Sequence, residues 1–283
     1  MRKPEWFKTN SQRNQTFHQV SSLIQDLSLH TVCEEANCPN RTECYSHQTA
    51  TFMILGSHCT RNCTFCNVTK GNPEQVDKNE PEHVAKAVEI LKLKHAVITS
   101  VTRDDLPDSG ASQFVHVLHA IHSLCQTVSV EVLIPDMKGN WSHLALIVEA
   151  RPDILNHNVE TINRLYPLVR PMADYHRSLT LLKEAKKRDP RLYTKSGMML
   201  GLGETREEVI QVMRDLREVA CDILTIGQYL PPSKEHYPLV AYITPEEFSE
   251  YRAIGQEMGF KQVVSSPLTR SSYHAGEFFL NKK

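Results

Sequence analysis

The run CTRNCTFC places Cys59, Cys63 and Cys66 within eight positions, with three residues and then two between the thiols. A second triplet, Cys33, Cys38 and Cys44, precedes it with gaps of four and five residues. Each set stops one thiolate short of the four that complete a structural zinc site or an all-cysteine iron–sulfur cluster. A zinc reading has to pool four of the six thiolates or recruit His47 or His58, and only Cys63 and Cys66 show the two-residue gap that zinc knuckles repeat. A [4Fe-4S] cubane on three thiolates instead keeps one iron open, and that iron can take a small molecule in place of a protein ligand. At the low end of the potential range such a cluster can pass an electron to what it binds. One-electron transfer of that kind opens a route to radical chemistry.

Thiols in this arrangement need a scaffold that presents them from one edge. From residue 51 onward, short β-rich runs alternate with amphipathic helical windows, the pattern of repeated βα units on a parallel sheet. The strand candidates are TFMILG (51–56), HAVITSV (95–101), TVSVEVLI (127–134), DILNHNV (153–159), YTKSGMML (193–200), DILTIGQYL (222–230) and KQVVSS (261–266). Thr205 with Glu208, and Thr244 with Pro245 and Glu247, mark helix starts between them. Val209, Val212, Met213, Leu216, Val219 and Ala220 recur at helical spacing and predict one buried stripe; Val84, Ala87, Val88 and Leu91 predict another after Pro81.

Six such units fall short of the eight that close a TIM barrel, so the expected fold is α/β, an incomplete (β/α)6 TIM-like barrel with N- and C-terminal extensions. The expected segments are 1–50, carrying the first cysteine triplet, the barrel at 51–266, and a C-terminal segment at 267–283. Ligands of such folds sit at the carboxyl ends of strands, and CTRNCTFC directly follows the first strand.

Composition removes several classes of function. A chain of 283 residues can bury one large core, and 32 basic against 33 acidic residues leave no global field for nucleic acid or an anionic membrane. The densest basic cluster, Lys183, Lys186, Lys187, Arg188 and Arg191, reads as a solvated helix face, with docking of an acidic partner as the alternative. No apolar run approaches the roughly 20 residues of a membrane span, and MRKPEWFKTN lacks the apolar core of a signal peptide, so a cytoplasmic protein is expected. Crowding of six of the eight cysteines between positions 33 and 66 speaks for metal over a disulfide scaffold. Cys125 and Cys221 stand apart in apolar surroundings and read as ordinary buried thiols.

The three-then-two spacing after a first strand resembles the radical S-adenosylmethionine (SAM) superfamily, in which SAM chelates the open iron. The run CEEANCPNRTEC resembles the auxiliary-cluster motif of the lipoyl synthase family, and RSSYHAGE (270–277) its C-terminal signature. KPEWFK, SVTRDDLPDSGA, NHNVET, VRPMADYHRSL, KSGMMLGLGET and GQYLPPSKEHYP extend the likeness over nearly the whole chain. Phe7 and Thr269 depart from it, standing where Leu and Val are expected.

The resemblance implies two [4Fe-4S] clusters and SAM as cofactors. Cys59, Cys63 and Cys66 would hold the first cluster; Cys33, Cys38 and Cys44 would hold the second, completed by a serine oxygen that the family pattern puts on Ser272 and less readily on Ser271. Such an alkoxide is a weak, displaceable ligand beside thiolates, which suits a cluster consumed as sulfur donor. The implied reaction inserts two sulfur atoms, at C6 and C8 of an octanoyl chain bound to a lysine, at the expense of two SAM. The implied partners are an octanoylated lipoyl carrier protein or domain, of the glycine cleavage H protein or 2-oxoacid dehydrogenase E2 type, a low-potential electron donor such as ferredoxin or flavodoxin, and a cluster-assembly carrier. Neither nucleic acid nor a membrane is implied.

Further SAM contacts are expected at strand ends. Gly197, Gly201 and Glu204 in GMMLGLGE resemble a superfamily pattern for the adenosyl group, although a glycine pair there also suits a plain strand-to-helix turn. Many superfamily members carry Gly-Gly-Glu after the second strand; this chain has SVTRDD, which makes Thr102, Arg103, Asp104 and Asp105 candidates, or a polar loop capping the next helix. Glu131, Asn156, Asn158 and Arg170 are candidates that a buried polar network would equally explain. Two rival functions remain: another sulfur-inserting radical SAM enzyme, and a two-cluster electron carrier, against which the missing fourth cysteines count.

Overall fold

The computed structural model describes residues 2–8, 12–273, 275 and 276, so His274 and Glu277 of the C-terminal signature lie outside the described residues. By packing, the chain forms two compact units, one from the described residues within 9–61, 67–155 and 274–283, the other from those within 1–8, 62–66 and 156–273. This division crosses the three sequential segments expected from the sequence.

The first unit opens with helix α1 (Gln15–Asp26), whose first turn is capped by the Asn14 side chain accepting from Phe17 N at 2.8 Å. The two-residue strand β1 (His30–Thr31) pairs antiparallel with β2 (Thr51–Ile54), setting His30 opposite Met53. Next come parallel partners: β2 with β3 (His95–Ser100), Thr51 opposite Val97, and β3 with β4 (Ser129–Leu133), His95 opposite Ser129. All of Thr51–Ile54 is buried, as an apolar run covered on both faces should be. Helices α2 (Glu80–Ile90), α3 (Ala111–Leu124) and α4 (Trp141–Glu149) alternate with these strands, α2 starting with Pro81 in its first turn, where a missing N–H costs no helical bond. Val84, Ala87, Val88 and Leu91 are buried as expected.

Strand β5 (Ile154–Asn156) contains the point where the chain passes into the second unit. There, β6 (Tyr193–Leu200) runs parallel to β7 (Ile223–Gln228) with Lys195 opposite Ile223, and β7 runs parallel to β8 (Gln262–Ser265) with Ile223 opposite Gln262. The associated helices are α5 (Tyr175–Arg188), α6 (Arg206–Glu218) and α7 (Pro245–Glu257). Thr205 with Glu208 and Thr244 with Glu247 both form reciprocal capping boxes. All seven expected strands are present. Phe7 is buried against the Tyr242 ring at 5.4 Å, and the Thr269 hydroxyl meets Ser266 Oγ at 2.8 Å, so each departure from the family pattern has a partner.

Three expectations need correction. The stripe of α6 holds for Val209, Val212, Met213 and Leu216, but the helix ends at Glu218; Ala220 turns out to solvent with φ +59°, where the left-handed conformation closes the helix end. Cys221 is buried, whereas Cys125 sits half-buried at the end of α3. In the basic cluster Lys186 is not a solvated side chain: its ammonium pairs with Asp222 at 2.6 Å.

Asp222, at the entry to β7, also accepts from Lys261 at 2.8 Å and from Thr194 N at 3.0 Å, tying the starts of β6 and β8 to one carboxylate. Burial works to raise this carboxyl, but the two ammonium groups outweigh it and hold it below its ordinary value of 3.8. A depressed carboxyl stabilises the fold fully above its unfolded value and loses that contribution as pH falls through the lower, folded value. Asp222→Asn is therefore expected to cost about 3 kcal/mol at pH 7, with the gap from wild type narrowing as the pH is lowered below about 4. Urea unfolding of both proteins across that range measures it.

Candidate active site

The first unit carries Cys33, Cys38 and Cys44 between β1 and β2. Thr31 caps the short helix Val32–Glu35 by accepting from Glu34 N, and its hydroxyl also meets Tyr45 Oη at 2.7 Å. Asn37, with φ +48°, turns the chain, Cys38 N donates to Cys33 O at 3.1 Å, and Cys44 lies on the following helix Arg41–Ser46. Tyr45 is fully buried and packs on Phe17 of α1 at 5.4 Å, which anchors the segment. Burial pushes the Cys33 and Cys44 thiols up to about 12, and the neighbouring thiols of the triplet add to the rise. Three crowded thiolates are unfavourable alone and call for a cationic partner, the donor chemistry that fits iron. Among the described residues no group of three or more His, Cys, Asp and Glu side chains is set to hold a single metal ion. The cysteines of a cubane bind different irons and need no common point.

The loop that begins the second triplet leaves β2 by a sharp turn, Leu55 at φ +71° and Gly56 at φ +89°. A leucine in the left-handed region is disfavoured unless its surroundings hold it there. Glu80 does so from the first turn of α2, both carboxylate oxygens accepting from Leu55 N at 3.0 and 3.1 Å, while Arg103 Nη1 donates to Leu55 O at 3.2 Å. Further along, Ser57 and His58 are drawn to Glu74, at 2.9 and 2.5 Å. The loop after β3 then sews onto the cysteine loop: Thr60 N and Oγ1 donate to Thr102 O at 3.0 and 2.9 Å, and Asp104 N donates to Thr60 Oγ1 at 3.1 Å. Cys59 Sγ accepts from Thr102 N at 3.3 Å and Arg61 N at 3.5 Å.

Cys63 and Cys66 belong to the second unit, where Cys66 N donates to Cys63 O at 3.3 Å. Thr64 between them bonds on one side to Leu168 O and Val169 O, at 2.8 and 3.0 Å, and on the other accepts from Tyr237 N at 2.9 Å. His236 Nε2 meets Cys66 O at 3.2 Å.

The other candidates fall into separate groups. Of SVTRDD, Thr102, Arg103 and Asp104 bind the cysteine loop, and Asp105 pairs with Arg103 at 2.9 Å. Glu131 is fully buried within the first unit, with His95 Nε2 at 3.6 Å. In the second unit, Arg170 Nη1 donates to Asn158 O, Val159 O and Tyr166 Oη at 2.9, 3.2 and 3.0 Å, fixing the chain beyond β5, where Asn156 is buried. Asn158 Nδ2 donates to Glu160 Oε1 at 3.0 Å, and its Oδ1 lies over Gly197, where a Cβ would stand 2.8 Å away. Gly201, at φ +101°, and Glu204 form one turn, the carboxylate accepting from Gly201 N and Leu202 N; a Cβ at Gly201 would overlap the Gln228 amide. Ser272 is half-buried in the second unit, beside Ser271.

Glu80, Arg61, Asp136 and Gln228 carry much of this scaffolding and were not singled out from the sequence. Each first polar residue after a strand deserved the attention given to SVTRDD, which would have found Asp136 after β4.

A model described as the Radical SAM superfamily matches residues 53–216, and one described as the N-terminal domain of lipoyl synthase matches residues 1–38. Among solved structures, a methylornithine synthase shares the fold with TM-score 0.58 at 14% identity over 93% of this chain and 85% of that one. A maturase of the [FeFe]-hydrogenase does so with TM-score 0.60 at 15% identity, over 80% and 53%. The chain is thus a radical SAM protein, with the α/β partial-barrel fold expected of it. Two curated proteins named lipoyl synthase narrow this: that of Caldicellulosiruptor saccharolyticus is 57% identical over 98% of this chain and 97% of its own length. That of Alkaliphilus metalliredigens is 56% identical over 98% and 95%. The chain belongs to the lipoyl synthase family.

Burial raises the Glu80 carboxyl above its ordinary 4.5, against the bonds from Gln113 and Leu55. A raised carboxyl favours the fold below its unfolded value and loses that contribution as pH rises through the higher, folded one. Glu80→Gln should lower stability by about 1–3 kcal/mol at pH 5, because the Leu55 N–H loses part of its acceptor. The gap from wild type should shrink as pH rises from about 4.5 toward neutrality, read by urea unfolding at stepped pH.

Proposed function

We propose that this chain inserts two sulfur atoms, at C6 and C8, into an octanoyl group held in amide linkage on a lysine of a lipoyl carrier protein. The observation that carries the reading is the pair of three-thiol segments, Cys33, Cys38 and Cys44 in one and Cys59, Cys63 and Cys66 in the other, in a chain of the lipoyl synthase family. When bound, one [4Fe-4S] cluster supplies the electron that cleaves SAM for hydrogen abstraction from carbon, and the other supplies the sulfur.

In this reading Cys59, Cys63 and Cys66 hold the cluster that meets SAM, and Cys33, Cys38, Cys44 and Ser272 hold the sulfur source. Thr102 and Arg61 hold the Cys59 sulfur in place through their N–H groups. Gly197 and Gly201 let Asn158 and Gln228 close onto the backbone where a Cβ would clash, and in this reading the strand-end face so formed meets the adenosyl group. Asn158, Glu204 and Arg170 shape that face, while Thr102, Arg103, Asp104 and Glu131 support the loop and sheet beneath the first thiol. The carrier is of the glycine cleavage H protein or 2-oxoacid dehydrogenase E2 type, electrons come from a ferredoxin or flavodoxin, and a cluster-assembly carrier restores the spent site in the cytoplasm. Among the described residues no helix is long and apolar enough to cross a membrane.

Anaerobic incubation of the reconstituted protein with reductant, SAM and an octanoyl-lysine peptide should yield a product heavier by two sulfurs, seen by mass spectrometry. Cys38→Ala should still release 5′-deoxyadenosine while sulfur insertion falls by at least about 100-fold; lipoyl product at the wild-type level from that variant would defeat the assignment of the second triplet. A protein that releases no 5′-deoxyadenosine would instead be an electron carrier.

A further inference from the structure

Arg61 stands between Cys59 and Cys63 in sequence, yet its side chain turns inward and is almost wholly buried, at 6% exposure. Its guanidinium meets two carboxylates from two different strand ends. Nε and Nη2 donate to Asp104 Oδ2 and Oδ1 at 2.7 and 3.0 Å, a fork-on-fork pair with the loop after β3. Nη2 also donates to Asp136 Oδ1 at 2.6 Å, beyond β4, where the Asp136 side chain is fully enclosed and additionally accepts from Lys138 N at 3.1 Å. A buried arginine in such a place is costly to desolvate, and one carboxylate would suffice to neutralise it. The second carboxylate adds a further enclosed negative charge at an arginine two residues from a cysteine.

We infer that Arg61, Asp104 and Asp136 form a positioning clamp for the Cys59 end of the thiol loop, whose two carboxylates also lower the reduction potential of the cluster that Cys59 helps to hold. The inference rests on the assignment of Cys59 to the SAM-binding cluster. Two physical consequences follow from the same three side chains. The bidentate fork fixes the direction in which the backbone leaves Cys59, because a planar guanidinium held at three points cannot swivel. Each carboxylate acts on the electron, since adding one to a cluster near a buried negative charge is disfavoured in a medium of low dielectric. The reduced cluster is thereby made a stronger donor to whatever binds its open iron.

The test is a redox titration followed by electron paramagnetic resonance on the fully reconstituted protein, with and without SAM, so that the cluster whose signal responds to SAM is tracked separately from the other. Iron content and melting temperature are recorded alongside. Asp136→Asn keeps the shape and removes one charge. It should bind the same amount of iron as wild type and shift the reduced-to-oxidised ratio of the SAM-responsive cluster about tenfold toward reduced at a fixed potential, which is about 59 mV for one electron. The other cluster should stay where it is.

Asp104→Asn, at the more accessible carboxylate, should shift the ratio in the same direction, and it carries the test if the enclosed position does not tolerate the amide. Arg61→Lys preserves the charge but not the fork. Its potential should stay near wild type while the SAM-responsive signal broadens and the melting temperature falls. A SAM-responsive cluster whose midpoint is unmoved in both aspartate variants, or two clusters that move equally, overturns the inference and leaves the proposed function standing. A wild-type protein with no SAM-responsive signal overturns both.

Discussion

The constraint on which the first unit depends is the turn at Leu55. A parallel strand that delivers thiols from its carboxyl end must leave the sheet at once, and here it does so through two consecutive residues at positive φ, only one of them glycine. The backbone of the other is held by charge at both ends: a buried carboxylate takes its N–H and an arginine takes its carbonyl oxygen. The neighbouring strand's loop then adds hydrogen bonds through Thr60, Thr102 and Asp104. These tethers all come from the protein itself. The presentation of Cys59 therefore follows from contacts within the polypeptide.

The two thiol segments are built by different physics. The later one is a loop whose order is imposed by polar side chains reaching in from elsewhere. The earlier one consists of two short helices with their own cap at Thr31, a left-handed turn at Asn37 and an aromatic anchor at Tyr45 against Phe17. Local structure of that kind can re-form without help from distant loops, a useful property in a segment that the proposed chemistry empties at each round.

Much of this was legible in the sequence, and the limits of that legibility are physical. The seven strands announce themselves because strands covered on both faces are short runs rich in apolar and β-branched residues, as in TFMI and HAVITS, and the capping boxes because their residues lie three apart. The β1 strand escaped because two residues carry no period. The end of α6 was overrun because Val219 and Ala220 keep the helical spacing while the backbone has already reversed. In the site the cysteines stood out because thiolates so spaced have few other uses. Their supports did not, because Arg61 joins residues 43 and 75 positions away and Glu80 reaches back 25 positions to Leu55, so no local pattern records these pairs. The residues of SVTRDD expected as ligand contacts also hold the loop.

The high proton affinity of the Cys33 and Cys44 thiols bears on what these side chains do when they hold no iron. Raised well above the ordinary thiol range by burial, Cys33 and Cys44 stay protonated at neutral pH, and only the ionised form attacks disulfides, peroxides or alkylating agents. The same enclosure that makes metal the preferred companion of these two sulfurs thus slows their own attack on oxidants when they hold none.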